Sequence, residues 1–334
     1  MADALRAFRR IQIGEEVTPG TAVAASMAAL GTMASFESGE VLHQPHDERN
    51  TLARNLADDL FVGKEAHLVW TGDMNMNDIA YALSMAIRGN VTPSASGNEN
   101  TWTFEHGLTT ANTPDVANGI DTFTFQYGDN AQAYQTEYCF ATRLEISGAP
   151  NQVCQFTCDI TGRQRTETTF TAALSPADTQ RFPFNLAKFY VDTSGANLGN
   201  TQKTATLKGF TWTFETMFTP YYTADGELYF AGVAEDAKKE VLNLTYVRNA
   251  TSEAERDKYD ARTTTFLRLE LLGPTVIDSN EPHLILDGAY RYVAWPGVGE
   301  ENGLTTVEVV AETVYDSTWA KQLSVELLTS LTGL

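Results

Sequence analysis

The feature that most constrains this 334-residue chain is an order of elements that occurs twice along it. Ser35 to Leu42 reads as a strand. A long polar segment, His43 to Lys64, separates it from a second strand, Ala66 to Trp70. Met76 to Ile87 reads as a short helix: Asn75 or Asn77 can cap it, and Ile79, Ala80, Leu83 and Ile87 recur at helical spacing. After a Ser/Gly/Asn-rich loop, Pro93 to Asn100, come strands at Thr101–Phe104 and Thr122–Tyr127. A hairpin then joins Glu137–Ser147 to Gln152–Thr161 through Gly148–Asn151.

The second half repeats this order. Leu207 to Phe218 is a strand, Thr219 to Lys239 a long polar and aromatic segment, and Glu240 to Tyr246 a strand. Thr251 to Ala261 reads as a charged helix and Thr264 to Leu272 as a strand. His283–Val293 and Leu304–Tyr315 form the closing hairpin. The pattern predicts a mainly β chain of two tandem β-sandwich or barrel domains, each with one short flanking helix and a long inter-strand loop. The boundaries are an N-terminal arm over 1–34, a first domain over 35–170, a connector over 171–204 and a second domain over 205–334.

Composition agrees. Threonine, 43 residues, is β-branched and suits pleated, half-buried surfaces. With 23 basic and 43 acidic residues the net charge is −20, too acidic for a broad phosphate-gripping face. The apolar run Ala22 to Leu30 follows Glu15, Glu16 and Pro19, the wrong order for a secretory signal, and no stretch is long enough to span a bilayer as a helix. The cysteines, Cys139, Cys154 and Cys158, are odd in number, and on a strand Cys154 and Cys158 share a face roughly 13 Å apart. Buried thiols are the expectation.

Local motifs point away from catalysis. Asp73–Asp78 opens like a calcium loop, but its sixth and twelfth positions hold Asp78 and Ser84 where glycine and a bidentate acid are required. His43, His46, Asp47 and Glu48 could be pictured round a metal, yet Pro45 breaks the helix that the spacing needs. Gly297, Gly299 and Gly303 imitate a dinucleotide loop with the last glycine one place late. Carboxylate doublets such as Asp58/Asp59 and Glu300/Glu301 point to opposite faces of a strand. The expectation is a non-enzymatic protein with no catalytic residue, no metal ligand and no cofactor.

The segment Ile13-Gly-Glu-Glu-Val-Thr-Pro-Gly-Thr-Ala-Val-Ala24 resembles the start of the tail tube (major tail) proteins of long-tailed, siphovirus-type bacteriophages, with Val17 where that family usually has Thr. Gly72–Gly89 matches the family's strand-to-helix segment. Trp102–Phe104 with His106 and Gly107 matches a His-Thr-Phe-like strand, and Cys139–Gly162 a hairpin closing on Asp159-Ile-Thr-Gly162. Thr306–Leu328, with Ala311–Asp316, is similar to the final strands. The resemblance implies a virion structural protein assembled in the host cytoplasm, whose rings stack head to tail into a hollow tube for genomic DNA. Two tube domains per chain imply a trimeric ring with pseudo-sixfold symmetry. It also implies partners: other copies of the chain, tape measure, tail terminator and distal tail or baseplate proteins, with DNA passing through unbound and no membrane. The N-terminal segment (Glu16, Pro19) and the long loops then supply contacts between subunits and rings: Leu52, Leu56, Leu60 and Phe61 in the first, Tyr221, Tyr222, Tyr229 and Phe230 in the second. The rival classes are a secreted or surface carbohydrate-binding β-sandwich and a β-sandwich hydrolase of scattered carboxylates.

Overall fold

Period-two alternation of apolar and polar side chains governs many of the strands. The computed structural model describes residues 6–43, 60–107, 120–177, 179–275, 281–301 and 303–334. The first half carries β1 (Arg10–Glu15), β2 (Met27–Ala29), β3 (Thr32–His43), β4 (Leu60–Asp73) and α1 (Asp78–Ala86). It continues with β5 (Ser94–Ser96), β6 (Glu99–His106), β7 (Phe123–Gly128), β8 (Ala133–Gly148), β9 (Gln155–Gly162) and β10 (Arg165–Thr168). The second half carries β11 (Lys188–Asp192), β12 (Leu207–Glu215), β13 (Phe218–Tyr221), β14 (Gly232–Glu235), β15 (Lys239–Val247) and α2 (Ala250–Asp260). It ends with β16 (Thr265–Leu272), β17 (His283–Ala294), β18 (Val298–Glu301), β19 (Leu304–Thr313) and β20 (Leu323–Thr329). All strands but β13 and β14 belong to one hydrogen-bonded antiparallel network.

The strand pairings occur twice. In the first half β1 pairs β7, β7 pairs β8, β8 pairs β9, β9 pairs β4 and β4 pairs β3. In the second half β11 pairs β16, β16 pairs β17, β17 pairs β19, β19 pairs β15 and β15 pairs β12. A returning strand then pairs the first part of the long strand, β10 on β8 and β20 on β17. Even the bulges agree: the β8–β9 ladder slips between Ala141 and Arg143, and the β17–β19 ladder slips between Tyr292 and Ala294. Each slip lies just after the point where the long strand changes partners: β8 pairs β7 up to Cys139 and β9 from Phe140, and β17 pairs β16 up to Tyr290 and β19 from Tyr290.

Two ladders join the halves. Phe210–Glu215 of β12 pairs Arg143–Gly148 of β8, so β3–β4–β9–β8 and β12–β15–β19 form one continuous sheet. Asn100–His106 of β6 pairs Leu323–Thr329 of β20 in the other layer. A single apolar cluster spans both halves, from Ile13 and Trp70 to Leu244 and Leu327. Cys139, Cys154 and Cys158 lie in it as free, buried thiols.

Several elements differ from the expectations. The described part of 1–34 contributes β1 and β2, and Ile11 and Ile13 of β1 are buried, so β1 is an integral strand of the sheet rather than part of an arm. The segment 171–204 contains β11, the counterpart of β1. Strand β4 begins at Leu60, and therefore absorbs the end of the first expected loop. Pro93–Asn100 holds β5 and the start of β6. Every residue of α1 is buried, because its sequence is apolar on most sides and it lies against β8 and β6. Asn75 accepts from the backbone N–H of Asn77 and Asp78 and so caps it. α2 is only partly buried, at Ser252 and Glu255, and starts on a capping box between Asn249 and Ser252.

Candidate assembly surface

The far end of the β3–β4 ribbon is largely exposed. Strand β3 is buried only at Met33, and residues 60–62 of β4 are exposed on both faces. Leu60 is 60% exposed and Phe61 45%, with Val41, Leu42 and Val62 beside them. A solitary chain gains nothing by holding five apolar side chains in water on a paired ribbon. Leu52 and Leu56 lie outside the described residues.

The second expected loop folds as the β13–β14 hairpin and lies on the first half of the chain. Lys64 donates its backbone N–H to the Leu228 carbonyl at 2.7 Å. The Tyr222 hydroxyl donates to Glu65 Oε2 at 3.2 Å. Arg163, in the turn between β9 and β10, holds the loop: its Nε donates to the Phe230 carbonyl at 3.2 Å. Its guanidinium lies 4.7 Å from the Tyr138 ring centre and 4.8 Å from that of Tyr229. Phe230 is fully buried with Phe140, Tyr138 and Phe218, whereas Tyr221 and Tyr222 are about half exposed. Four of the aromatics singled out in this loop thus divide. Phe230 and Tyr229 serve the chain's own packing, and Tyr221 and Tyr222 remain at the surface.

Glu16 is buried, and its carboxylate is spent inside the chain. It accepts from the Thr122 and Thr124 hydroxyls at 2.9 and 2.8 Å and from the backbone N–H of Gly20 and Tyr138 at 2.8 and 2.9 Å. Pro19, half buried, sits in the turn so formed. These interactions tie the start of the chain to β7 and β8.

The side of the continuous sheet away from the core is polar. Glu145 alternates with buried Leu144 and Ile146, Asp159 with Cys158 and Ile160, and Glu308 with Val307 and Val309. Arg143 is paired with Glu145 and stands 3.6 Å from Asp159, and Lys239 stands 3.9 Å from Glu312. Acids outnumber bases there, and the bases named are already matched.

Several of the groups with shifted protonation equilibria are buried. Burial pushes the Glu240 carboxyl up to about 7, although Tyr290 and Trp212 donate to it. Burial likewise pushes Asp78 up to about 6 and His106 down to about 4. Among the described residues no group of three or more His, Cys, Asp and Glu side chains is placed to hold a metal ion; His46, Asp47 and Glu48 lie outside them. No described helix is long and apolar enough to cross a membrane.

Sequence reasoning missed Arg163, whose role depends on a loop more than 60 positions away, and the apolar residues at the sheet edges, Phe36 and Val298. No local signal marks them. Neither a family model nor a curated protein matches this chain.

Proposed function

We propose that this chain is the subunit of a self-assembling tube, a tail tube protein whose rings stack around a channel for DNA. The observation that carries the reading is the twofold occurrence of one strand-pairing scheme, with its halves joined side by side through β8 and β12. Such a joint is heterologous: the end of one repeat meets the start of the next. Heterologous joints do not close on themselves after two members; they continue into rings or filaments. The pseudo-sixfold ring that the resemblance implies would take three copies of such a two-repeat chain.

The exposed apolar ribbon of β3 and β4 fits contact with a neighbouring copy. The polar, acid-rich side of the continuous sheet fits a channel wall that repels phosphates. With −20 per chain, every added ring strengthens that repulsion. Electron microscopy of the purified protein tests the reading: hollow rings or tubes are expected, and monomers that persist at high concentration would refute it.

A further inference from the structure

The two ends of the continuous sheet are the counterparts of its internal joint. Inside the chain, Trp212 of β12 stands opposite Ile146 of β8, and both side chains are fully buried. The repeated ladders give their equivalents. Trp212 pairs Leu242, which pairs Ala311, which pairs Tyr292 just before the bulge. Phe36 pairs Leu68, which pairs Ile160, which pairs Ala141 just before the other bulge. Phe36 is thus the first repeat's Trp212. Ile146 pairs Phe156 of β9, and the β19 equivalent of Phe156 is Val307, which pairs Val298. Val298 is thus the second repeat's Ile146, and β17 with β18 is one long strand interrupted at Pro296.

Both equivalents are exposed in the single chain, Phe36 by 38% and Val298 by 58%. Among the described residues β3 pairs only β4, and β18 and the last part of β17 pair only β19. Unpaired edges carrying apolar side chains are templates for another strand. The edge on β3 is of the β12 type and the edge on β18 is of the β8 type, so the chain presents both halves of a joint that it already makes once.

We propose that β3 of one copy adds antiparallel to the β17–β18 edge of the next, with Phe36 opposite Val298 and Ser35 opposite Gly299. This rests on the reading of the chain as a ring-forming subunit and names the surface that closes the ring. The joint between copies is also the weaker one. The internal joint has a second ladder, β6 on β20. The second repeat has only Ala261–Thr264 between α2 and β16, where the first repeat has β6, and the outer edge of β10 is unpaired among the described residues. Rings therefore come apart between chains, never within them.

The test is a cysteine pair, Phe36→Cys with Val298→Cys, oxidised mildly in the assembled protein and read on a non-reducing gel. Directly opposed residues of antiparallel strands lie about 4.5–5.5 Å apart, within reach of a disulfide. Loss of the monomer band to covalent dimers and trimers is expected, with no such loss for either single variant or for the offset pair Ser38→Cys with Val298→Cys. Rings without cross-links, or equal cross-linking of the offset pair, overturn this register while leaving the tube reading intact. A wild-type chain that forms no rings refutes both. Val298→Lys guards against a misfolded double variant. Its side chain is exposed in the single chain, so a native circular dichroism spectrum with loss of ring formation is expected, and unimpaired rings overturn the proposal.

Discussion

The indole N–H of Trp212 donates to Glu240 Oε1 across 2.5 Å, directly beneath the seam where the two repeats join. The Tyr290 hydroxyl donates to the same oxygen, and among the described residues none hydrogen-bonds Glu240 Oε2. A carboxylate in that position keeps one uncompensated oxygen away from water, and the neutral acid is favoured instead.

Stability should therefore fall as the pH rises towards 7. The folded carboxyl holds its proton up to about 7 and the unfolded one only to 4.5, so the folded state binds more protons in between. The contribution is complete below 4.5 and lost through 7, on the order of 3 kcal/mol in all. Asp78, pushed up to about 6, acts in the same direction, and His106, pushed down to about 4, in the opposite one. Chemical denaturation of wild type and Glu240→Gln across pH 4–8 isolates the Glu240 part. The stability difference should move in favour of Glu240→Gln as pH rises; a pH-independent difference would contradict the assignment.

Glu16→Ala should destabilise the chain by about 3 kcal/mol, because it leaves two hydroxyls and two backbone N–H groups without their acceptor. Glu16→Gln retains acceptor capacity and should cost less. A urea titration of both variants measures the order; a loss below about 0.5 kcal/mol for Glu16→Ala, the size of a surface change, would show the network to be dispensable.

Arg163→Ala should release the β13–β14 hairpin without unfolding the large sheet. The guanidinium holds that loop through carbonyls and ring faces, worth about 1–3 kcal/mol together. Hydrogen exchange should quicken across 218–235 and stay unchanged in β8 and β9. Uniform quickening would mean that Arg163 supports the whole fold.

Assembled tubes should show no appreciable affinity for duplex DNA, even at low salt where phosphate contacts are strongest. Fluorescence anisotropy of a labelled duplex measures it. Tight binding that weakens steeply with salt would mean that a basic face had been overlooked.

The sequence made the strands legible wherever alternation was long, as in β8, β9, β12 and β15, and the order of those strands disclosed the duplication. β11 escaped notice because five residues in a stretch rich in Pro and Gly carry too little periodicity. β4 was cut short because Lys64 and Glu65 resemble loop residues, although a ribbon exposed on both faces needs no apolar alternation. The Glu16 network and the Arg163 clamp join residues as many as 122 and 67 positions apart, which leave no local trace. The edge residues Phe36 and Val298 gained meaning only once the ladders had fixed which residue of one repeat corresponds to which of the other.

Native mass spectrometry of the smallest closed ring tests the central claim most directly. Two repeats per chain predict three chains of 36.7 kDa, a ring of about 110 kDa, without two-fold symmetric dimers as intermediates. A six-chain ring, or a closed dimer as the terminal species, would contradict it.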